Sequence, residues 1–263
     1  MSLTIDGNAN SITSSTAGVN IPATVDTLSV GPSGSYMIAN SSGVGIGTLT
    51  PQDKLTVLGK IQLQQDSGSN NRIVLRGQPG SSYRWNIDNL SASNNFRVFR
   101  EDDVTAANGV VYMNIDSAGR MTRPYQPAFF ASSSASSVAT AAIIAYNSVA
   151  YNIGSHYDGT TNYRFTAPVS GIYHFGFMLR ANNNNTVSGY GQLMLHINGT
   201  SLFNGRYLGQ SIYGTGVLNS QYASMCANTQ LSLSAGDYVD IRNTNTVINF
   251  SGTESYFYGI LLG

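Results

Sequence analysis

Charge, cysteine and long apolar runs are all scarce in this 263-residue chain. Charged side chains make up 10%, 13 basic against 13 acidic, where roughly 25% is usual for soluble domains. So sparse and balanced a charge gives no support to an electrostatic grip on phosphates, and nucleic acid is not an expected partner. The single Cys226 excludes an internal disulfide, so packing alone must hold the fold. No stretch approaches the roughly 18 apolar residues of a membrane helix, so no membrane insertion is expected. The first twenty residues also lack the basic start and apolar run of a secretion signal. Helical periodicity is nearly absent, and the short Ala-rich stretch at 136–145 reads as extended.

Ser (33), Gly (28) and Asn (26) are abundant instead. They give a polar but uncharged surface built from short strands and tight turns. Such a surface, without a signal or disulfides, fits a virion component assembled in a bacterial cytoplasm and released by lysis.

Alternation is the dominant pattern. Tyr173, Phe175 and Phe177 share one strand face and His174, Gly176 and Met178 the other. Leu193, Leu195 and Ile197 repeat this against Gln192, Met194 and His196, and Leu231/Leu233 and Val239/Ile241 continue it. Period two means half-buried strands. Asn198-Gly199 between two such runs signals a two-residue hairpin, whose turn needs positive φ at both positions.

Three zones follow. Residues 1–59 are rich in Ser, Thr, Gly and Asn with scattered aliphatics. They offer too few apolar contacts to offset a backbone ordering cost of roughly 1–2 kcal/mol per residue. This zone is expected to be extended, and either disordered or ordered against sister chains or a docking partner. Residues 60–123 read as a small β module with strands at 61–64, 72–75, 84–87, 96–100, 110–115 and near Arg120. Most of the charge sits here, including Arg72, Arg76, Arg84, Arg97, Arg100 and the run Glu101-Asp102-Asp103. The run reads as a solvated loop, and the arginines as cross-strand and cation–π partners of nearby acids and of Trp85. Residues 124–263 carry eight charges, no lysine, and the aromatic strands of a sandwich.

Two segments resemble known families. Gly45-Ile46-Gly47-Thr48, Pro51, Lys54-Leu55-Thr56-Val57 and Gly59 resemble a motif common in bacteriophage tail fibres and related bacterial surface fibres. In the third zone, Phe165, Gly171, Tyr173, Phe175 and Phe177 follow Tyr146, Asn152 and Tyr157. They precede Leu231, Leu233, Gly236-Asp237, Val239, Ile241, Phe257, Gly259 and Leu261-Leu262. This pattern resembles the globular head of the complement-one-q and tumour-necrosis-factor superfamily, though the interval from Tyr157 to Phe165 is one residue longer than expected. The resemblance implies a ten-stranded jelly roll forming a tight homotrimer, with Phe165, Tyr173, Phe175, Phe177 and Phe257 in its core.

Counting strand direction back from residue 262 gives expected strands at 255–262, 237–242, 221–233, 201–207, 190–197 and 172–180. Tight turns at 198–199, 234–236 and 168–171 then fall at one end. Longer connections at 181–189, 208–219 and 243–254 fall at the other, and in the resembled fold the chain enters at the tight-turn end. The long loops therefore point outward, and loops on a rigid scaffold usually carry recognition. The candidate receptor-binding tip comprises Asn182, Asn183, Asn184, Asn185, Tyr190, Tyr213, Asn243, Asn245 and Phe250.

Catalytic and cofactor signals are weak. Gly43 to Gly47 superficially resemble a dinucleotide loop, but no hydrophobic strand precedes them and Pro51 falls where a helix should run. His156, His174 and His196 lack metal-ligand spacing. Cys226 reads as a small buried hydrophobe, and Asp237 and Asp240 as turn carboxylates. No catalytic residue, cofactor or metal is expected, and the chain reads as not an enzyme. The expectation is an all-β homotrimeric phage fibre located in the virion. Residues 1–59 would dock on other virion proteins, 60–123 form the shaft, and the head bind a host surface receptor, with a saccharide as one candidate. The alternative is a capsid-attached head fibre or decoration protein.

Overall fold

The computed structural model describes residues 27–30, 37–40, 43–48, 50–63, 71–76, 83–90, 92–102, 109–181, 189–201, 209–213, 223–245 and 247–263. It divides into two compact units, Met1–Asn71 and Arg72–Gly263.

The first unit holds a four-stranded sheet of β1 (Thr27–Val30), β2 (Met37–Asn40), β3 (Val44–Ile46) and β4 (Leu55–Val57). Among the described residues of the first zone these four short strands pair with one another. The fibre-like motif builds a tight parallel pair, β3 against β4. Val44 N donates to Lys54 O and Leu58 N to Ile46 O, both at 2.8 Å. Thr56 Oγ1 accepts from Gln52 N at 3.0 Å and Asp53 N at 3.2 Å, folding the return around buried Pro51. A Cβ at Gly43 would overlap the Asp53 carbonyl, so only glycine lets these backbones approach. The strand expected at 61–64 is not seen: Ile61–Leu63 pair with nothing regular, and Gln64 lies outside the described residues.

The second unit begins with a five-stranded sheet, β5 (Asn71–Arg76), β6 (Tyr83–Leu90), β7 (Asn95–Asp102), β8 (Val110–Ile115) and β9 (Met121–Thr122). Glu101 corrects the solvated-loop expectation: it is a buried member of β7. Arg72 Nη1 donates to both its oxygens at 3.0 and 2.9 Å, and Arg84 donates at 3.1 Å. Buried Asp88 takes a bidentate pair from Arg97 at 3.0 and 2.7 Å. Arg72 and Arg97 also lie 5.0 and 4.8 Å from the Phe99 ring. The cations stack on Phe99, Tyr83 and Tyr112 rather than on Trp85.

Beyond residues 123–127 the chain forms two facing sheets. One contains β10 (Ala128–Ser132), β11 (Ser137–Val138), β12 (Ser148–Ile153), β15 (Gly171–Ala181), β19 (Ala223–Leu233) and β21 (Ile248–Leu261), in the order β12-β10-β21-β15-β19 with β11 on β21. The other contains β13 (Tyr157–Asp158), β14 (Arg164–Thr166), β16 (Gly189–Ile197), β17 (Thr200–Ser201), β18 (Gly209–Tyr213) and β20 (Tyr238–Asn243), in the order β13-β14-β20-β16-β17 with β18 on β16. These are twelve strand segments among the described residues, where ten were expected; β18 falls within the connection expected at 208–219, and β11 is a two-residue pairing on β21. Of the strand expected at 201–207, only Ser201 is described.

The inward faces meet in an aromatic core. Phe129 stacks on Tyr157 at 4.3 Å and meets Phe257 edge-on at 4.9 Å. Phe165, Tyr173, Phe175, Phe177 and Phe257 are all buried here. Each such side chain contributes roughly 1.5–3 kcal/mol by leaving water. The buried hydroxyl of Tyr157 donates to Tyr146 O at 2.8 Å, and burial pushes both phenols well above the usual range. Asn198 and Gly199 adopt φ of 51° and 78°, the left-handed pair the hairpin requires.

Candidate functional site

Register fixes which ends of the strands lie together. Ala181 faces Ala223 and Phe250 in one sheet, and Gly189 faces Tyr213 in the other. The connections 182–188, 214–222 and 244–247 therefore leave from one end of the sandwich. At the opposite end Gly236 N donates to Ala167 O at 2.8 Å, Ala235 N to Ser170 Oγ at 3.1 Å, and Asn198 Nδ2 to Asp237 Oδ1 at 2.8 Å. These bonds lace the three tight turns together. The chain enters there too: Ala128 faces Ile260, and Leu261 N donates to Pro127 O at 3.0 Å. The strand ends at Ala181, Gly189, Tyr213 and Ala223 lie at the far end from that entry.

Not every expected tip residue is free to contact a ligand. Asn182, Asn183, Asn184 and Asn185 fall outside the described residues. Tyr190 and Tyr213 lie on paired strands β16 and β18 at the far end, so the connection expected at 208–219 is partly strand. Asn245 is half-buried there. Two residues are corrections. Phe250 is 1% exposed and belongs to the core, because the last strand starts at Ile248 rather than 255 and Ile248 and Phe250 alternate inward. Asn243 is wholly buried: its amide donates to Ala139 O at 3.0 Å and its Oδ1 accepts from Asn245 N at 3.3 Å. It clamps the 139–142 crossover to β20 instead of facing solvent.

The strand β21 hides its early start behind an irregularity. Its pairing with β15 jumps from Met178↔Tyr256 to Arg180↔Ser251. Buried Ser255 fills the gap, its Oγ accepting from Arg180 N at 3.0 Å and donating to Ser251 O at 2.7 Å. Arg180 pairs with Glu254 beside it, and Ser251 and Arg180 hold that carboxyl below its usual range.

Two other surfaces stand out. The outer face of the first sheet is aromatic: Phe130 lies 5.5 Å from Tyr256, Tyr256 lies 6.2 Å from Tyr258, and His174 Nε2 is 3.4 Å from the Tyr258 hydroxyl. Cys226 is exposed on this face rather than buried, beside a shallow hollow of about 200 Å³ lined by Phe177, Tyr256 and Tyr258. At the entry end a cleft of about 420 Å³ is lined by Tyr112, Arg123, Tyr125, His156, Pro168 and Val169. Burial lowers the His156 pKa, favouring the neutral ring. No sequence spacing pointed to this cleft, because its lining comes from separate segments. Asp240, read as a turn carboxylate, is instead fully buried and paired with Arg242 at 2.7 and 3.0 Å. Among the described residues no group of three or more His, Cys, Asp or Glu is placed to hold a metal, and no helix is long and apolar enough to cross a membrane.

Two facing antiparallel sheets, an aromatic core and an entry opposite the long connections define a jelly-roll head. The family model for the C1q domain matches residues 128–262, and the chain belongs to that family. Similar solved structures include the globular domain of zebrafish complement 1qA protein, at 18% identity over 52% of this chain and 98% of that one, with TM-score 0.39. Eiger TNF from S. frugiperda matches at 14% identity over 54% and 94%, with TM-score 0.40. Murine APRIL matches at 11% identity over 52% and 99%, with TM-score 0.39. No curated protein matches.

Proposed function

We propose that this is a non-catalytic phage virion fibre, a homotrimer whose jelly-roll heads present their far-end loops to a host surface receptor. The observation that carries the reading is the separation of ends. The chain enters the head beside the laced tight turns, and the long connections emerge opposite. A stalk on the entry side leaves the far end free for contact. The parallel β3–β4 pair supports the fibre assignment, since it gives the fibre-like motif at 45–59 a definite structural role. The aromatic outer face with Phe130, His174, Tyr256 and Tyr258 supports self-association, because large obligate interfaces are apolar and aromatic.

The test is host adsorption by phage carrying the chain with Asn182, Asn183, Asn184 and Asn185 deleted and Tyr213 replaced by Ala. Adsorption falls while the fibre still assembles. Unchanged adsorption contradicts the tip assignment. Antibody labelling of intact particles then separates a tail fibre from a capsid-attached one.

A further inference from the structure

The five-stranded sheet is inverted. Its more polar face is the drier one: Asn86, Asp88 and Glu101 are 0%, 2% and 5% exposed around buried Phe99 and beneath Arg72, Arg84 and Arg97, and only the edge-strand Val74 on that side is exposed among its described apolar residues. Side chains alternate across a strand, so Ile73, Leu75, Tyr83, Trp85, Phe96 and Val98 share the other face. Of these, Ile73, Leu75, Tyr83, Trp85 and Phe96 are 41–55% exposed. A folded chain normally does the opposite.

We infer that this apolar face is an interface between copies of the chain, each sheet facing its counterparts about a shared axis. The inference rests on the trimeric reading above, which it extends from the head to the preceding module. Three observations select a second copy as the occupant. First, size: at roughly 200 Å² for a large side chain, five half-exposed residues leave on the order of 500 Å² of apolar surface. That matches the apolar core of a standard interface burying about 800 Å² per partner.

Second, charge: register places one base, Arg100, and one acid, Asp102, on this face, opposite Trp85 and Tyr83, and the Arg100 guanidinium lies 4.4 Å from the Tyr83 ring and 5.8 Å from the Tyr112 ring. The ring faces offset its charge, so copies can approach without an exposed cation between them. Third, reach: only residues 123–127 separate β9 from β10, a span of at most about 20 Å. Associated heads therefore hold their sheets at high effective concentration. The rings also run on toward the head, Trp85 to Tyr112 at 5.0 Å and Tyr112 to Tyr125 at 5.3 Å.

Trp85 is the chain's one tryptophan and reports on this face directly. The experiment measures Trp85 emission and acrylamide quenching in the full native chain, with light scattering on the same sample. A trimer mass with blue-shifted emission and quenching several-fold weaker than in denaturant supports the inference. The exposed edge-strand change Leu75→Lys then raises quenching in the still-folded protein. A trimer whose Trp85 is readily quenched overturns the inference and leaves the trimeric head standing; so does a Trp85 shielded only when host polysaccharide is added. A folded monomer overturns both.

Discussion

Phe129 lies flat on Tyr157, with ring centroids 4.3 Å apart and planes within 3°. The pair joins the two sheets, since Phe129 is on β10 and Tyr157 on β13. Phe129→Ala is expected to cost about 3–5 kcal/mol, through lost transfer energy and a cavity among unmoving rings. Tyr157→Phe keeps the stack and removes only the bond to Tyr146 O, at about 1–3 kcal/mol. Denaturant unfolding of both variants checks the order; equal losses contradict it.

Asn243 and Asn245, two residues apart, differ in role. Asn243→Ala leaves buried carbonyls without their donor and costs about 1–3 kcal/mol. Half-buried Asn245→Ala leaves stability nearly unchanged. Thermal unfolding reads both, and a stable Asn243→Ala refutes the clamp.

Glu101 neutralises Arg72 and Arg84 in a dry layer. Glu101→Ala removes the buried acid that both guanidinium groups share, leaves Arg72 its longer contact with Asp88 at 3.8 Å, and is expected to cost about 1–3 kcal/mol. Removing the exposed guanidinium of Arg120, the i,i+4 partner of Asp116, costs at most about 0.5 kcal/mol. Comparable effects contradict the buried network.

Acid sensitivity follows from Asp158 and Asp237. Backbone amides of Thr161 and Thr160 hold the Asp158 carboxyl well below its usual range, and Asn198 with Ser234 lowers Asp237. The folded state thus binds these protons less readily than the unfolded chain. Their stabilisation is complete above about pH 4 and is lost as pH falls further. Asp158→Asn removes its share, so stability against pH has a shallower acid limb. Identical limbs contradict this.

Much of the head was legible because its code is local. Tyr173, Phe175 and Phe177 alternate without interruption, and Asn198-Gly199 is a turn by chemistry alone. The start of β21 was not, because the alternation breaks at Thr253 and Glu254, and the bonds that hold the strand there come from Ser255 and from Ser133 and Ser136, far away in sequence. Asn243 looked like a surface residue, since nothing local reveals carbonyls arriving from 139, far away in sequence. Glu101 is hidden from a sequence reading for the same reason: its burial depends on Arg72 and Arg84 from other strands.

The most direct test of the account is the native mass of the full chain in dilute buffer. Three associated copies predict about 84 kDa, three times 28.0 kDa. A stable, fully folded 28.0 kDa species would contradict it.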